Sequence, residues 1–282
     1  MSQNTPPFPQ TDPTPIAGRW IAMSALLVAN FMNLVDVTIV NVAIPSIQQA
    51  FGANDSQIEW VIAIYMLTFA LLLLPSGRMG DVFGKRQMFV AGVTVFTIGS
   101  ALCGMAGSIN LLIFARMFQA LGGAMMTPQI LAMVPILFLP KERGAVFALF
   151  GLTAGMASVA GPPLAGVLIH ADLWALGWRP IFLVNVPVGV IAILAALRYG
   201  PKTTTNRGGA IDGVGILLAT TTLLLLLFPL IEGRQLGWPL WCYALLLAAA
   251  PMGLAFLKWE NRRAEQGLAQ LLPVRLLGNM DY

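Results

Sequence analysis

Two side chains in this sequence stand where hydrocarbon is expected: Asp36, inside the apolar run 20–44, and Arg116, inside the run 110–134. An ionisable group in a bilayer core costs at least ~2.5–3.5 kcal/mol, so its presence there marks a candidate site. Each belongs to a polar stripe. At 100° per residue, Asn30, Asn33, Asp36 and Asn41 fall within an arc of about 140° on the first run. Arg116, Gln119, Gly122, Gly123 and Thr127 occupy a similar arc on the other. If the first run leads outward and the later one inward, both charges lie ~9–14 Å below the same membrane face. Burial and a neighbouring guanidinium act on a carboxylate in opposite senses, so moving Arg116, or admitting a cationic substrate, would switch the protonation of Asp36. That is chemistry for exchanging a proton against a cation. Two readings stand at this point: the charges line a shared aqueous cavity, or they form a structural ion pair that clamps two helices.

The elements that must position these residues follow from composition. Of 282 residues, 57% are hydrophobic and only 10% charged, with a mean hydropathy of +0.78. A soluble domain carries roughly 25% charged residues. This chain cannot clothe a water-facing surface and is read as an all-α polytopic membrane protein. A spanning helix needs about 20 mostly apolar residues; eight runs qualify, at 20–44, 57–77, 87–107, 110–134, 144–169, 179–198, 212–231 and 239–258. None alternates as a membrane β-strand would. With the N-terminus placed inside, thirteen of the sixteen lysines and arginines fall in inner segments, against Arg179 and Arg234 outside and Arg116 within a span. The positive-inside rule then puts both termini in the cytoplasm and the chain in the inner membrane as a multi-pass protein. Residues 1–17 are polar, proline-rich and without the positive start of a signal peptide, so they are expected to be a disordered cytoplasmic tail.

Other chemistries find little footing. The two cysteines, Cys103 and Cys242, lie in apolar runs, His170 is the single histidine, and no phosphate-binding glycine loop with its lysine is present. Neither a metal, a cofactor nor an enzyme's nucleophile–base constellation is expected, and the basic residues sit between spans rather than in a nucleic-acid patch. A proton gradient is the expected energy source. His170 reads as an interfacial residue, and Trp174, Trp178, Trp238 and Trp241 as an aromatic belt. Glu59 reads either as a substrate contact or as a helix N-terminal carboxylate.

Two further stretches are more specific than hydropathy requires. Between spans 2 and 3 the chain reads Gly77-Arg78-Met79-Gly80-Asp81-Val82-Phe83-Gly84-Lys85-Arg86. Its glycines suit a tight turn, and Asp81 suits a helix cap or a basic partner. Span 5 carries Gly151-x3-Gly155, then Gly161-Pro162-Pro163 and Gly166. Small residues four apart allow close helix approach, and the double proline should bend the helix.

Together these stretches resemble the major facilitator superfamily, in its 14-helix drug:proton antiporter branch. The carriers are Val35-Asp36-Val37-Thr38-Ile39-Val40-Asn41-Val42-Ala43-Ile44-Pro45, the 77–86 segment, the Arg116/Gln119/Gly122 set, and Ala157, Gly161-Pro162 and Ala165-Gly166 in span 5. Trp178-Arg179-Pro180-Ile181-Phe182 and Asn185-Val186-Pro187-Val188-Gly189 add the entry to span 6. Val82 stands where the family usually has arginine, and alanine replaces glycine at 157 and 165.

The resemblance implies an N-terminal six-helix bundle over 18–200, built as two inverted three-helix repeats, then two additional membrane helices over 201–260. A cytoplasmic segment over 261–282 would lead to a second bundle that the chain lacks. It implies proton coupling and substrate contact at Asp36, Arg116, Asn33, Asn41 and Gln119. It implies a conformational loop at Gly77, Asp81, Gly84, Lys85 and Arg86, and an antiporter helix marked by Gly155, Gly161, Pro162 and Gly166. The expected function is proton-coupled efflux of small hydrophobic or cationic compounds, by an N-terminal part not competent alone. Expected partners are the substrate, protons, the lipid bilayer, and a separately encoded C-terminal half or a periplasmic adaptor. The alternative is a non-transporting truncated membrane protein, or a half-transporter subunit that needs a separate C-terminal half.

Overall fold

The structure is a computed structural model that describes residues 18–171, 175–201, 212–233, 236–266, 268, 270 and 271. A backbone in hydrocarbon must satisfy its polar groups within its own segment, which helices do. Among the described residues the secondary structure is helical: α1 (Arg19–Phe51), α2 (Asp55–Phe83), α3 (Lys85–Gly104), α4 (Ile109–Leu137), α5 (Pro140–His170), α6 (Pro180–Leu183), α7 (Asn185–Tyr199), α8 (Gly213–Glu232) and α9 (Leu240–Glu265). Taking α6 and α7 as one interrupted span, eight are long and apolar enough to cross a membrane, in the places hydropathy expects. The segments 1–17, 202–211 and 272–282, and Trp174, lie outside the described residues.

Where the helices depart from expectation, the cause is local. The sixth span breaks at Val184. Pro187 has no N–H to give the carbonyl four residues earlier, which weakens the helix at this point. The expected loop 77–86 is mostly helix: α2 runs on to Phe83 and a single residue, Gly84, joins it to α3. Gly84 has φ +98° and ψ 130°, a conformation that glycine alone adopts without strain. Asp81 therefore caps no helix; it pairs with Arg78 at 3.6 Å and Lys85 at 3.5 Å. Helix α5 stays continuous through Pro162 and Pro163.

Close crossings deliver the site residues. A Cβ on Gly99 would lie 2.6 Å from the Cα of Gln119, and one on Gly92 would lie 2.7 Å from the backbone nitrogen of Met126. Glycine here is what lets α3 and α4 touch backbone to backbone. Helix α1 packs on α5 and α7, and α2 packs on α4. At the terminal end of the bundle Arg19 grips Glu142 with both nitrogens, at 2.7 and 2.8 Å, tying the starts of α1 and α5. Helices α8 and α9 form a hairpin whose α8 lies against α2. Asp212 caps α8 through the Gly215 amide at 2.9 Å, and also accepts from the Trp259 indole at 3.0 Å and from Arg263 at 3.1 Å. One belt tryptophan is misplaced by the sequence reading: Trp178 is buried, edge-on to Phe51 and Phe182 at 5.6 and 5.9 Å.

Candidate functional site

Asp36 and Arg116 touch. Arg116 Nη1 donates to Asp36 Oδ2 at 2.5 Å and to Gln119 Oε1 at 2.7 Å, while its Nε donates to the Val61 carbonyl at 3.3 Å. The other carboxylate oxygen, Asp36 Oδ1, accepts from Gln119 Nε2 at 2.8 Å and from Asn185 Nδ2 at 3.1 Å. Gln119 Nε2 also donates to the Ser100 hydroxyl at 2.8 Å. The guanidinium lies over the Tyr65 ring, 4.1 Å from its centroid, a cation–π contact strengthened by the absence of water. The Tyr65 hydroxyl in turn donates to Asn33 Oδ1. One connected network thus draws on α1, α2, α3, α4 and α7.

The helices explain why these groups meet. Arg116 and Gln119 are three apart on α4 and share a face. Gln119 reaches Ser100 because Gly99 removes the side chain that would keep α3 away. Gly123 leaves room for Asn33 and Tyr65: a Cβ there would fall 2.8 Å from Asn33 Oδ1 and 3.0 Å from the tyrosine oxygen. Asn185 starts α7 just after the break at Val184, and so is turned onto Asp36 by the interruption itself.

Exposure is 0% for Asp36 and 2% for Arg116. In this structure the charges form the ion pair of the second reading, and neither group borders solvent. Such a pair contributes little net stability, because desolvating two ions offsets their attraction, yet removing one partner costs about 3–5 kcal/mol. Stability alone is a weak reason to keep it.

Not every expected residue joins the network. Asn41 is exposed and bonds the Val37 carbonyl of its own helix at 3.2 Å. In α5, Gly161 faces α1, where a Cβ would overlap Thr38; Gly155 and Gly166 border open space and Pro162 is exposed. Around Gly77–Arg86, Arg86 donates to the Leu197 carbonyl and so ties the start of α3 to the end of α7. Gly80 faces Gln129, which donates to the Ser76 carbonyl at 2.8 Å. His170 is exposed and bonds its own helix at Gly166 O, 2.9 Å away.

Tyr65, Ser100 and Asn185 were not expected at the site. Each is a lone polar residue in an apolar run, which is the signal that could have drawn attention to them. Asn185 had a second signal, since Pro187 two residues on predicts the break.

Compared with known proteins, residues 26–274 match the family described as the Major Facilitator Superfamily. The chain belongs to that superfamily. This facilitator chain is 41% identical to the probable actinorhodin transporter of Streptomyces coelicolor, over 96% of its own length and 47% of the relative's. It is 35% identical to the multidrug resistance protein Stp of Mycobacterium tuberculosis, over 86% and 44%. A tetracenomycin C resistance and export protein of Streptomyces glaucescens is 32% identical, over 92% and 48%. Thus the facilitator chain spans about half the length of the curated relatives it matches. Among solved structures, a bacterial homologue of the human lysosomal transporter Spinster, inward-facing and occupied, aligns with a TM-score of 0.53 at 22% identity. That alignment covers 77% of this chain and 53% of the other, and it speaks for the fold. The superfamily consists of transporters rather than enzymes, and this member is a multi-pass membrane protein.

Proposed function

We propose that this chain is the N-terminal part of a proton-coupled exporter of small hydrophobic or cationic compounds, with Asp36 as the proton carrier. The observation that carries the reading is the solvent-excluded Asp36–Arg116 pair at 2.5 Å, linked by side-chain contacts to five helices. The relatives, a probable actinorhodin transporter, a multidrug resistance protein and a tetracenomycin C resistance and export protein, support the same class of substrate.

The mechanism follows from the contacts. In the ion-paired state Asp36 accepts from Arg116, Gln119 and Asn185. A proton arriving on Asp36 cancels its charge and releases Arg116, which retains Gln119 Oε1, the Val61 carbonyl and the Tyr65 ring. Those groups sit on α2 and α4, so protonation loosens α1 from α4 while α2 and α4 stay joined. A cationic substrate near Asp36 takes the place of the lost guanidinium contact and favours departure of the proton. Outward export against inward proton flow requires alternating exposure of this site, which in this architecture comes from one bundle rocking against another. The lysine and arginine distribution supports an inner-membrane chain with both termini in the cytoplasm. The 77–86 segment, tied by Arg86 to α7 and by Gly80 and Gln129 to α4, is suited to transmit that movement at the cytoplasmic end. Gly161, packed on Thr38, allows α5 to lie directly on the part of α1 that bears Asp36.

In a complete transporter carrying this half, Asp36→Asn is expected to abolish proton-driven efflux of cations and the proton release that accompanies drug binding. Drug-dependent proton release of unchanged stoichiometry in that variant would overturn the assignment.

A further inference from the structure

A second acidic group in the membrane portion has no use in the scheme above. Glu232 is the last residue of α8, it is 9% exposed, and its Oε1 has no hydrogen-bond partner. Three physical costs coincide there. A buried charge without a partner is expensive; a carboxylate at a helix C-terminus faces the negative end of the helix dipole; and hydrocarbon lies close by. Among the described residues no donor reaches that oxygen; Arg234, two residues on, lies outside them.

Its surroundings are aromatic. Phe228 lies one turn before Glu232 on the same face of α8. The Phe228 ring is 6.0 Å from Trp241 of α9 and 6.3 Å from Trp60 of α2, centroid to centroid. Trp238, beside Gly233, holds φ at +56°, a left-handed conformation that a bulky residue rarely adopts and that persists where surroundings impose it. The aromatic rings are only partly covered. A buried anion beside open aromatic faces is the combination that receives an organic cation, since ring faces attract positive charge and the carboxylate neutralises it.

We propose that the α8–α9 hairpin, at the end that carries Glu232 and Leu240, binds an organic cation bearing aromatic or alkyl groups, with Glu232 as counter-charge and Phe228, Trp241 and Trp60 as the apolar wall. The site is separate from the Asp36 network and does not depend on the reading of that network.

The test uses the full 282-residue chain in phosphatidylcholine nanodiscs, with tetraphenylphosphonium as the cation and triphenylphosphine oxide as a neutral counterpart, both read by tryptophan quenching. Glu232→Gln is expected to weaken tetraphenylphosphonium about tenfold or more and to leave the neutral compound nearly unchanged. In an Asp36→Asn background Glu232→Gln should produce the same fold loss of tetraphenylphosphonium, which separates this site from the proposed proton carrier. Trp241→Phe, which preserves packing, should lower the quenching amplitude, and it provides a readout should Glu232→Gln fail to fold. The proposal is overturned by undiminished cation affinity in Glu232→Gln, by equal losses for cation and neutral compound, or by full quenching in Trp241→Phe. It is equally overturned if the unaltered chain does not bind the cation.

Discussion

Asp36 accepts from Arg116, Gln119 and Asn185, and each donor loses an acceptor if that side chain changes. This interdependence makes a sharp prediction about stability. Asp36→Leu alone leaves Arg116 as a buried unpaired cation, and Arg116→Met alone leaves a buried unpaired carboxylate; each should cost about 3–5 kcal/mol. The double variant should be more stable than either single one, because the desolvated charges are gone together. Thermal unfolding of the purified chain in detergent measures all three. A double variant that loses the sum of the two would show that Asp36 and Arg116 act independently and are not coupled as an ion pair. The sequence made Asp36, Arg116 and Gln119 visible, because charge in hydrocarbon is conspicuous and helical spacing gathers it into stripes. Asn41 belongs to the same stripe as Asp36 but lies five residues further along α1, where it is exposed and stays outside the network. Tyr65, Ser100 and Asn185 gave only a weak signal, because a single polar residue in an apolar run has no direction until its helix is docked.

At the scale of elements, hydropathy located the spans because chain length and lipid thickness set them almost alone. It did not show where one helix ends and the next begins. Polar residues at the membrane face, such as Arg78 and Asp81, look like loop in a hydropathy count although they continue α2 to Phe83. Glycines were legible as packing residues, but their partners were not. Gly80 is an example: a Cβ there would lie 2.5 Å from Cδ and 2.7 Å from Nε2 of Gln129, the side chain that donates to the Ser76 carbonyl. Gly80→Ala must push Gln129 aside and break that bond, which joins α4 to the end of α2. The expected cost is ~1–3 kcal/mol, the usual penalty for buried polar groups left without partners. Gln129→Ala costs a similar amount by a different route. Combining them should cost well under the sum, with a coupling of ~1 kcal/mol or more. Additive losses would mean that Gly80 and Gln129 act independently and that the tie between α2 and α4 lies elsewhere.

At the scale of the whole molecule, the arrangement of α5 bears on what the chain can do by itself. One side of α5 is spent on α1, through Ala157, Gly161 and Ala165. Its other side presents Leu152, Met156 and Val159 outward, beside Gly151 and Gly155, where an added Cβ would meet open space. Apolar side chains are at ease against lipid, but glycines that contact nothing are shaped for another helix to approach. Such a helix would face α5, and α5 rests on the stretch of α1 that carries Asp36. A moving partner on that side could therefore reach the ion pair through one helix, whereas the hairpin α8–α9 lies against α2 instead. The 282-residue chain expressed alone is accordingly expected to insert in the membrane but to give no gradient-dependent extrusion of a cationic dye. The same chain continued into the second bundle of one of its full-length relatives should extrude the dye, and collapse of the proton gradient should stop it. Extrusion by the 282-residue chain alone, at a rate comparable to the continued chain, would mean that α5 needs no partner and that these helices alternate access among themselves.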